Sequence, residues 1–210
     1  MKLISNEQLA KWEKLNIENA LFVLIDFQKS FSSLMKKEIY ENARTNILML
    51  MRMFKKMNIP MIGTEHYKKG LGPTDELLLS EWGNYPMFEK ITFSCCGLDL
   101  FENSLEHEQH KSKSLMILAG LETHICVLQT ALDLLRRNYH VVVLKDAVLS
   151  SSKLKWQSGL DMMESAGAHI INTEALLFYL LKRADTPEFK YLVKLLKDNK
   201  MAATAATKDN

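Results

Sequence analysis

The stretch Lys111–Asp146, KSKSLMILAGLETHICVLQTALDLLRRNYHVVVLKD, decides the fold. Leu115 to Ala119 is an unbroken apolar run that stops at Gly120. The chain restarts as an amphipathic helix carrying Cys126 in its first turn, and a second apolar run, Tyr139 to Leu144, follows. Apolar run, tight turn, helix and apolar run make the βαβ unit of a parallel sheet. Open α/β sheets bind ligands beyond the C-terminal ends of their strands, which is where Cys126 falls. Unpaired N–H groups and the dipole at a helix N-terminus favour negative charge, and so favour a thiolate. Cys126 is therefore the candidate nucleophile.

Working outward, Ala20 to Ile25 reads as a buried strand ending on Asp26, followed by a loop and a helix from about Glu41 to Met57. Ile59 to Gly63 is a second strand, Thr64 to Pro73 a Gly/Pro-rich loop, and Thr74 to Leu79 a short helix opened by Pro73. Met87 to Thr92 is extended in character but carries Lys90, and Leu98 to Gln109 is helical. Beyond the central unit come a helix (Lys153–Ser165), a short strand (Ala168–Ile171), a helix capped by Thr173 and running to Arg183, and a last helix from Glu188 to Asp198. This alternation predicts an α/β fold: three layers around a doubly wound, mostly parallel six-stranded sheet. Residues 19–198 form the domain. Residues 1–18 are a helical appendage with Leu9, Trp12 and Leu15 as its apolar stripe, and residues 199–210 read as a disordered tail.

Composition narrows the function. A net charge of +2, without Lys/Arg runs interleaved with aromatics, argues against a nucleic-acid binder. No apolar run reaches the ~20 residues of a membrane span. Cys95, Cys96 and Cys126 are odd in number with two adjacent, which is no disulfide framework. A reducing, cytoplasmic or other intracellular location is expected, because the N-terminus shows neither a secretory nor a transit signal. The spacings CxxC and paired His are absent, so neither metal nor cofactor is expected.

Three residues lie at or beside predicted strand ends: Asp26, Lys90 and Cys126. A thiol attacking a carbonyl needs a base for its proton and a cation nearby. Asp26 and Lys90 supply these. Each has a plainer reading: a cap for Asp26, a snorkelling side chain for Lys90, a core filler for Cys126. The core reading is retained for Cys95 and Cys96. Position at a strand-to-helix turn distinguishes Cys126.

Asp26 in VLIDFQKSF, Lys90 in MFEKITFS and Cys126 in LAGLETHICVLQTALDL together resemble the isochorismatase-like cysteine hydrolases, over about residues 19–183. The loop Glu65–Thr74 is similar to that of the isochorismatase-domain-containing branch rather than to nicotinamidases. The resemblance implies a catalytic triad, with Asp26 as base, Lys90 orienting it and lowering the thiol pKa, and Cys126 forming a thioester. It implies a cis peptide at Leu121–Glu122, aiming the backbone N–H groups of Glu122 and Cys126 at an oxyanion. It suggests Phe31, His66, Tyr67 and Thr123 as pocket residues, and a homo-oligomer, dimer or higher. The metal-binding Asp-x-His pattern of nicotinamidases is missing around Thr64–Tyr67, so no metal is implied. The expected function is cysteine-dependent hydrolysis of a small amide, ureido or related acyl compound, of amidohydrolase type. Its rivals are a non-catalytic oligomeric scaffold of the same fold, and thiol redox chemistry at a lone Cys126.

Overall fold

A computed structural model describes residues 12–206, with side chains to residue 199. Six strands form one parallel sheet in the order β3-β2-β1-β4-β5-β6: β1 Ala20–Ile25, β2 Met61–His66, β3 Met87–Lys90, β4 Leu115–Leu121, β5 His140–Leu149 and β6 His169–Ile171. The helices are α1 Lys37–Lys56, α2 Lys68–Leu71, α3 Glu76–Trp82, α4 Asp99–Leu105, α5 Leu128–Arg136, α6 Lys153–Ser165, α7 Thr173–Leu181 and α8 Pro187–Ala206.

Every residue of β1 and of β4 is buried, which is why both read as continuous apolar runs rather than alternating ones. One face of the sheet packs Phe22, Leu24 and Ile117 against α1, α3, α7 and α8, with Phe54, Trp82, Leu176 and Leu192 among the contacts. The other packs Leu21, Val23, Ile25 and Leu118 against α4, α5 and α6 through Phe101, Ala131 and Leu160. The winding reverses between β1 and β4, and the C-terminal ends of those two strands open the crevice where such sheets bind ligands.

Several boundaries differ from expectation. β2 extends to His66 and β5 to Leu149, beyond the apolar runs, because hydrogen bonding to neighbouring strands continues after the apolar pattern ends. Asp75 rather than Pro73 caps α3, accepting from Leu77 N, and Asn172 rather than Thr173 caps α7, accepting from Ala175 N. α8 passes the expected end at Asp198 and enters the small-residue stretch read as a tail. Of the N-terminal stripe, Leu15 is buried and Trp12 packs edge-on to His169, whereas Leu9 lies outside the described residues. Among the described residues no helix is long and apolar enough to cross a membrane.

Gly120 sets the close approach of β4 to β1. Its φ is +127°, and a Cβ there would sit 1.9 Å from the carbonyl oxygen of Ile25. Relief would require moving the backbone that leads directly into Asp26. Gly120→Ala is expected to cost about 3 kcal/mol or more and to lower Tm by on the order of 10 °C in a thermal melt. A wild-type melting curve would refute this account of the β1–β4 contact.

Candidate active site

Register brings the site together. Ile25 pairs with Thr64 and His66 pairs with Lys90, so the ends of β1, β2 and β3 stand side by side. From β1 to β3 is two strand spacings, about 10 Å, which a lysine stem and a short aspartate arm can close only by meeting over β2. They do: Lys90 Nζ lies 2.6 Å from Asp26 Oδ2. Asp26 has left the strand, with φ 50°, an uncommon left-handed backbone for a non-glycine residue. The Lys90 ammonium also donates to the carbonyls of Thr92 (3.1 Å) and Phe93 (2.9 Å), so all three of its protons are committed. Asp26 Oδ1 accepts from the Thr64 hydroxyl at 2.8 Å. Asp26 and Lys90 are only 1% and 2% exposed. Burial acts to lower the Lys90 pKa, but the charge of Asp26, aided by Cys95 and Cys126, outweighs it and the net shift is upward. Lys90 is therefore held in its charged form.

Cys126 joins this pair from β4. Asp26 and Lys90 both act electrostatically on its thiol, and its residue, at 7% exposure, is the most open of the three. It stands in a π-helical turn, Thr123–Val127, rather than in the first turn of the α-helix, which begins at Leu128. Burial first, then the negative charge of Asp26, push its pKa up to about 12, against the opposing effect of Lys90. The expectation of a resting thiolate is thus corrected: burial, with the charge of the nearby carboxylate, outweighs a helix end. No cis peptide occurs among the described residues, so the Leu121–Glu122 bond is trans, and Glu122 has ordinary extended backbone.

The turn is held from two sides. Glu122 Oε1 accepts from Ser151 N at 2.7 Å, and His124 Nδ1 meets Ser150 Oγ at 3.0 Å. Gly159 of α6 lets that helix touch the turn, since a Cβ there would lie 2.9 Å from backbone atoms of Thr123 and His124.

Of the pocket residues, His66 stacks on Phe93, whose carbonyl holds Lys90, and its Nδ1 is buried without a partner. Thr123 is fully buried with its hydroxyl unpartnered. Tyr67, half exposed, has its ring over Gly70. Phe31 packs against the α1 face of the core, across the sheet from Cys126. A cavity of about 360 Å³ between α1 and α6, which includes Leu149 and Trp156, is not lined by Asp26, Lys90 or Cys126.

A profile of the isochorismatase domain matches residues 20–175. The chain belongs to the isochorismatase family. Isochorismatase family protein 1B of Dictyostelium discoideum is 35% identical, over 87% of this chain and 87% of its own length. The structure of the MAR1 ribonuclease from Caenorhabditis elegans is similar at TM-score 0.79 and 36% identity, covering 86% of this chain and 90% of that one. YcaC of Escherichia coli, described as an octameric hydrolase of unknown specificity, shares the fold at TM-score 0.79 and 22% identity, over 93% and 97% of the chains. With such relatives the chain is a hydrolase-family protein.

Around these residues, sequence reasoning missed Thr64, Gln28 and the surroundings of Cys95. Gln28, fully buried, donates to the carbonyls of His66 (3.0 Å) and Gly72 (2.6 Å) and accepts from His66 N (2.7 Å), tying the loops after β1 and β2 together. Cys95 is no mere filler: its sulfur lies 3.6 Å from Thr64 Oγ1, and Asp26 acts on its pKa. The signal for Thr64 was its place at the end of the strand between β1 and β3. No group of three or more His, Cys, Asp or Glu able to hold a metal occurs among the described residues.

Two outcomes follow from the electrostatics. Lys90→Met leaves the Asp26 carboxylate buried without its counter-charge and is expected to destabilise by about 4 kcal/mol in urea unfolding, with Asp26→Asn/Lys90→Met recovering part of the loss. Equal stability of Lys90→Met and wild type would remove the ion pair from the energetics. Burial also raises Cys95 to about 11 and Cys96 to about 12, from 9.0. Above pH 9 the unfolded chain sheds thiol protons that the folded chain keeps, so stability falls as pH rises, by up to about 1.4 kcal/mol per pH unit per thiol. Denaturant midpoints should therefore decline from pH 8.5 to 10, and less steeply in Cys96→Ala; a flat profile would contradict the burial of these thiols.

Proposed function

We propose that the protein is a cysteine-dependent hydrolase of a small amide, ureido or related acyl compound. The observation that carries this reading is the buried Lys90–Asp26 contact of 2.6 Å, with the Cys126 thiol close enough for both charges to act on it. A buried ion pair gains little net stability over apolar packing, so its presence beside a thiol favours a chemical role. Cys126 is the most open member, and a small carbonyl compound meets the sulfur first, with the base and cation behind it.

In the resting enzyme Cys126 holds its proton. As Sγ attacks the carbonyl carbon, the proton passes to Asp26, and the ammonium of Lys90 keeps that carboxyl anionic until then. The tetrahedral oxyanion takes the backbone N–H of Cys126; with Leu121–Glu122 trans, the Glu122 N–H loses the aim that a cis bond would have given it. Its collapse breaks the C–N bond, and Asp26 returns the proton to the departing ammonia or amine. Water then attacks the thioester, gives its proton to Asp26, and releases the acid as Cys126 regains its S–H. Lys90 donates nothing to substrate, because its three protons are committed. Phe31, His66, Tyr67 and Thr123 are the residues proposed around the substrate, and the protein acts as a homo-oligomer, as does octameric YcaC.

The Caenorhabditis elegans relative is described as a ribonuclease. A phosphodiester needs exposed cations for its charge, and the ammonium beside Cys126 is buried and already paired, which favours acyl transfer here.

Incubation with a metabolite extract, followed by intact-mass analysis, is expected to show an acyl adduct on wild type and none on Cys126→Ala. Equal adduct on both proteins would overturn the assignment and favour a non-catalytic scaffold. Parallel incubation with single-stranded RNA should show no cleavage that depends on Cys126.

A further inference from the structure

We infer that Thr64 is the positioning residue of this site: its hydroxyl, on the strand between base and cation, fixes the Asp26 carboxylate for proton transfer from Cys126. The inference rests on the reading of Asp26 as base and Cys126 as nucleophile, and adds a residue to it.

Asp26 leaves β1 with a left-handed backbone, and both oxygens of its buried carboxylate are held. Lys90 holds Oδ2 at 2.6 Å and Thr64 holds Oδ1 at 2.8 Å. Thr64 also accepts Asp26 N–H on its carbonyl at 3.0 Å, so one residue grips the aspartate at backbone and side chain. A hydroxyl has a single proton, and Thr64 spends it on Asp26. The contact of 3.6 Å with Cys95 Sγ then has one sense: Cys95 S–H donates to Thr64 Oγ1. Cys95 is itself placed by its N–H bond to Thr130 Oγ1 at 3.0 Å. A chain Cys95 → Thr64 → Asp26 results, fully buried at its first two members, and neither can reach substrate. The charged or titratable groups facing Asp26 are Lys90 from β3, Cys95 from the turn before α4, and Cys126 from the π-turn. Thr64 is the neutral donor that aligns the carboxylate among them.

The test uses iodoacetamide on the full-length protein, with alkylation of Cys126 followed by peptide mass mapping from pH 5 to 9. In that reaction the S–H proton goes to Asp26, an S–C bond forms and iodide leaves. Thr64→Val keeps shape but loses the donor. It is expected to slow Cys126 alkylation at pH 7 by about tenfold, the scale of one hydrogen bond to a charged group, and to move the acid limb of the profile to higher pH. Thr64→Ser restores the hydroxyl and should recover both, which a merely structural threonine would not require. Thr64→Val reacting as wild type, or Thr64→Ser reacting like Thr64→Val, would overturn the inference. Should the valine variant not fold, Thr64→Ser alone decides: at least half the wild-type rate supports the role of the hydroxyl, and a tenfold loss refutes it. Asp26→Asn separates the two levels. If it leaves alkylation unchanged, the base assignment fails; if it slows alkylation while Thr64→Val does not, only the Thr64 inference fails.

Discussion

The structure depends on one contact, the ion pair made by Lys90 and Asp26 over the end of β2. Two opposite charges removed from water cost several kcal/mol each, and their attraction repays this only when the remaining donors and acceptors are satisfied. That condition explains much of the surroundings. The lysine needs two more acceptors, so the chain after β3 bends to present the carbonyls of Thr92 and Phe93. The carboxylate needs a second donor, and Thr64 supplies it. Asp26 must turn out of its strand to meet them, so it adopts a positive φ, and Gly120 must let β4 pass close to the same point.

The same pair decides how the thiol is stored. A cysteine at a helix start is commonly a thiolate, but here burial and the adjacent carboxylate both oppose ionisation, and Lys90 is too fully engaged with Asp26 to reverse them. A site arranged this way keeps Cys126 as a thiol. It trades resting reactivity for protection, since a thiol is far less readily oxidised than a thiolate.

The parallel sheet was legible because its strands are buried on both faces and therefore read as apolar runs. Asp26, Lys90 and Cys126 were legible because each punctuates such a run or follows one closely. What escaped lay in distances that spacing does not encode. Thr64 and Cys95 look like an ordinary loop residue and an ordinary core thiol until register brings β2 between β1 and β3. The lengths of β2 and β5 were underread for a related reason: polar residues such as Glu65 and Asp146 continue the strands through buried or bridging hydrogen bonds, to Thr74 N and to Thr173 N and Oγ1. The assumed cis bond came with the family resemblance, and the trans Leu121–Glu122 peptide corrects it.

The π-turn explains how a trans backbone still presents the sulfur. The Glu122 carbonyl accepts from both Ile125 N (3.0 Å) and Val127 N (3.3 Å), so the turn is wider than an α-helical one before α5 begins. Widening by one residue rotates the side chains that follow by about 100° relative to an uninterrupted helix, enough to exchange a core-facing position for one at the strand end. Such a turn is less stable than an α-helix and must be held from outside. Ser150 and Ser151 at the end of β5 hold His124 and Glu122, while α6 closes on its back at Gly159, where no side chain intervenes. Cys126 is thus fixed by β5 and α6, and Asp26 and Lys90 by β1, β2 and β3. The reversal of winding between β1 and β4 is the one place in the sheet where these two half-sites can face each other.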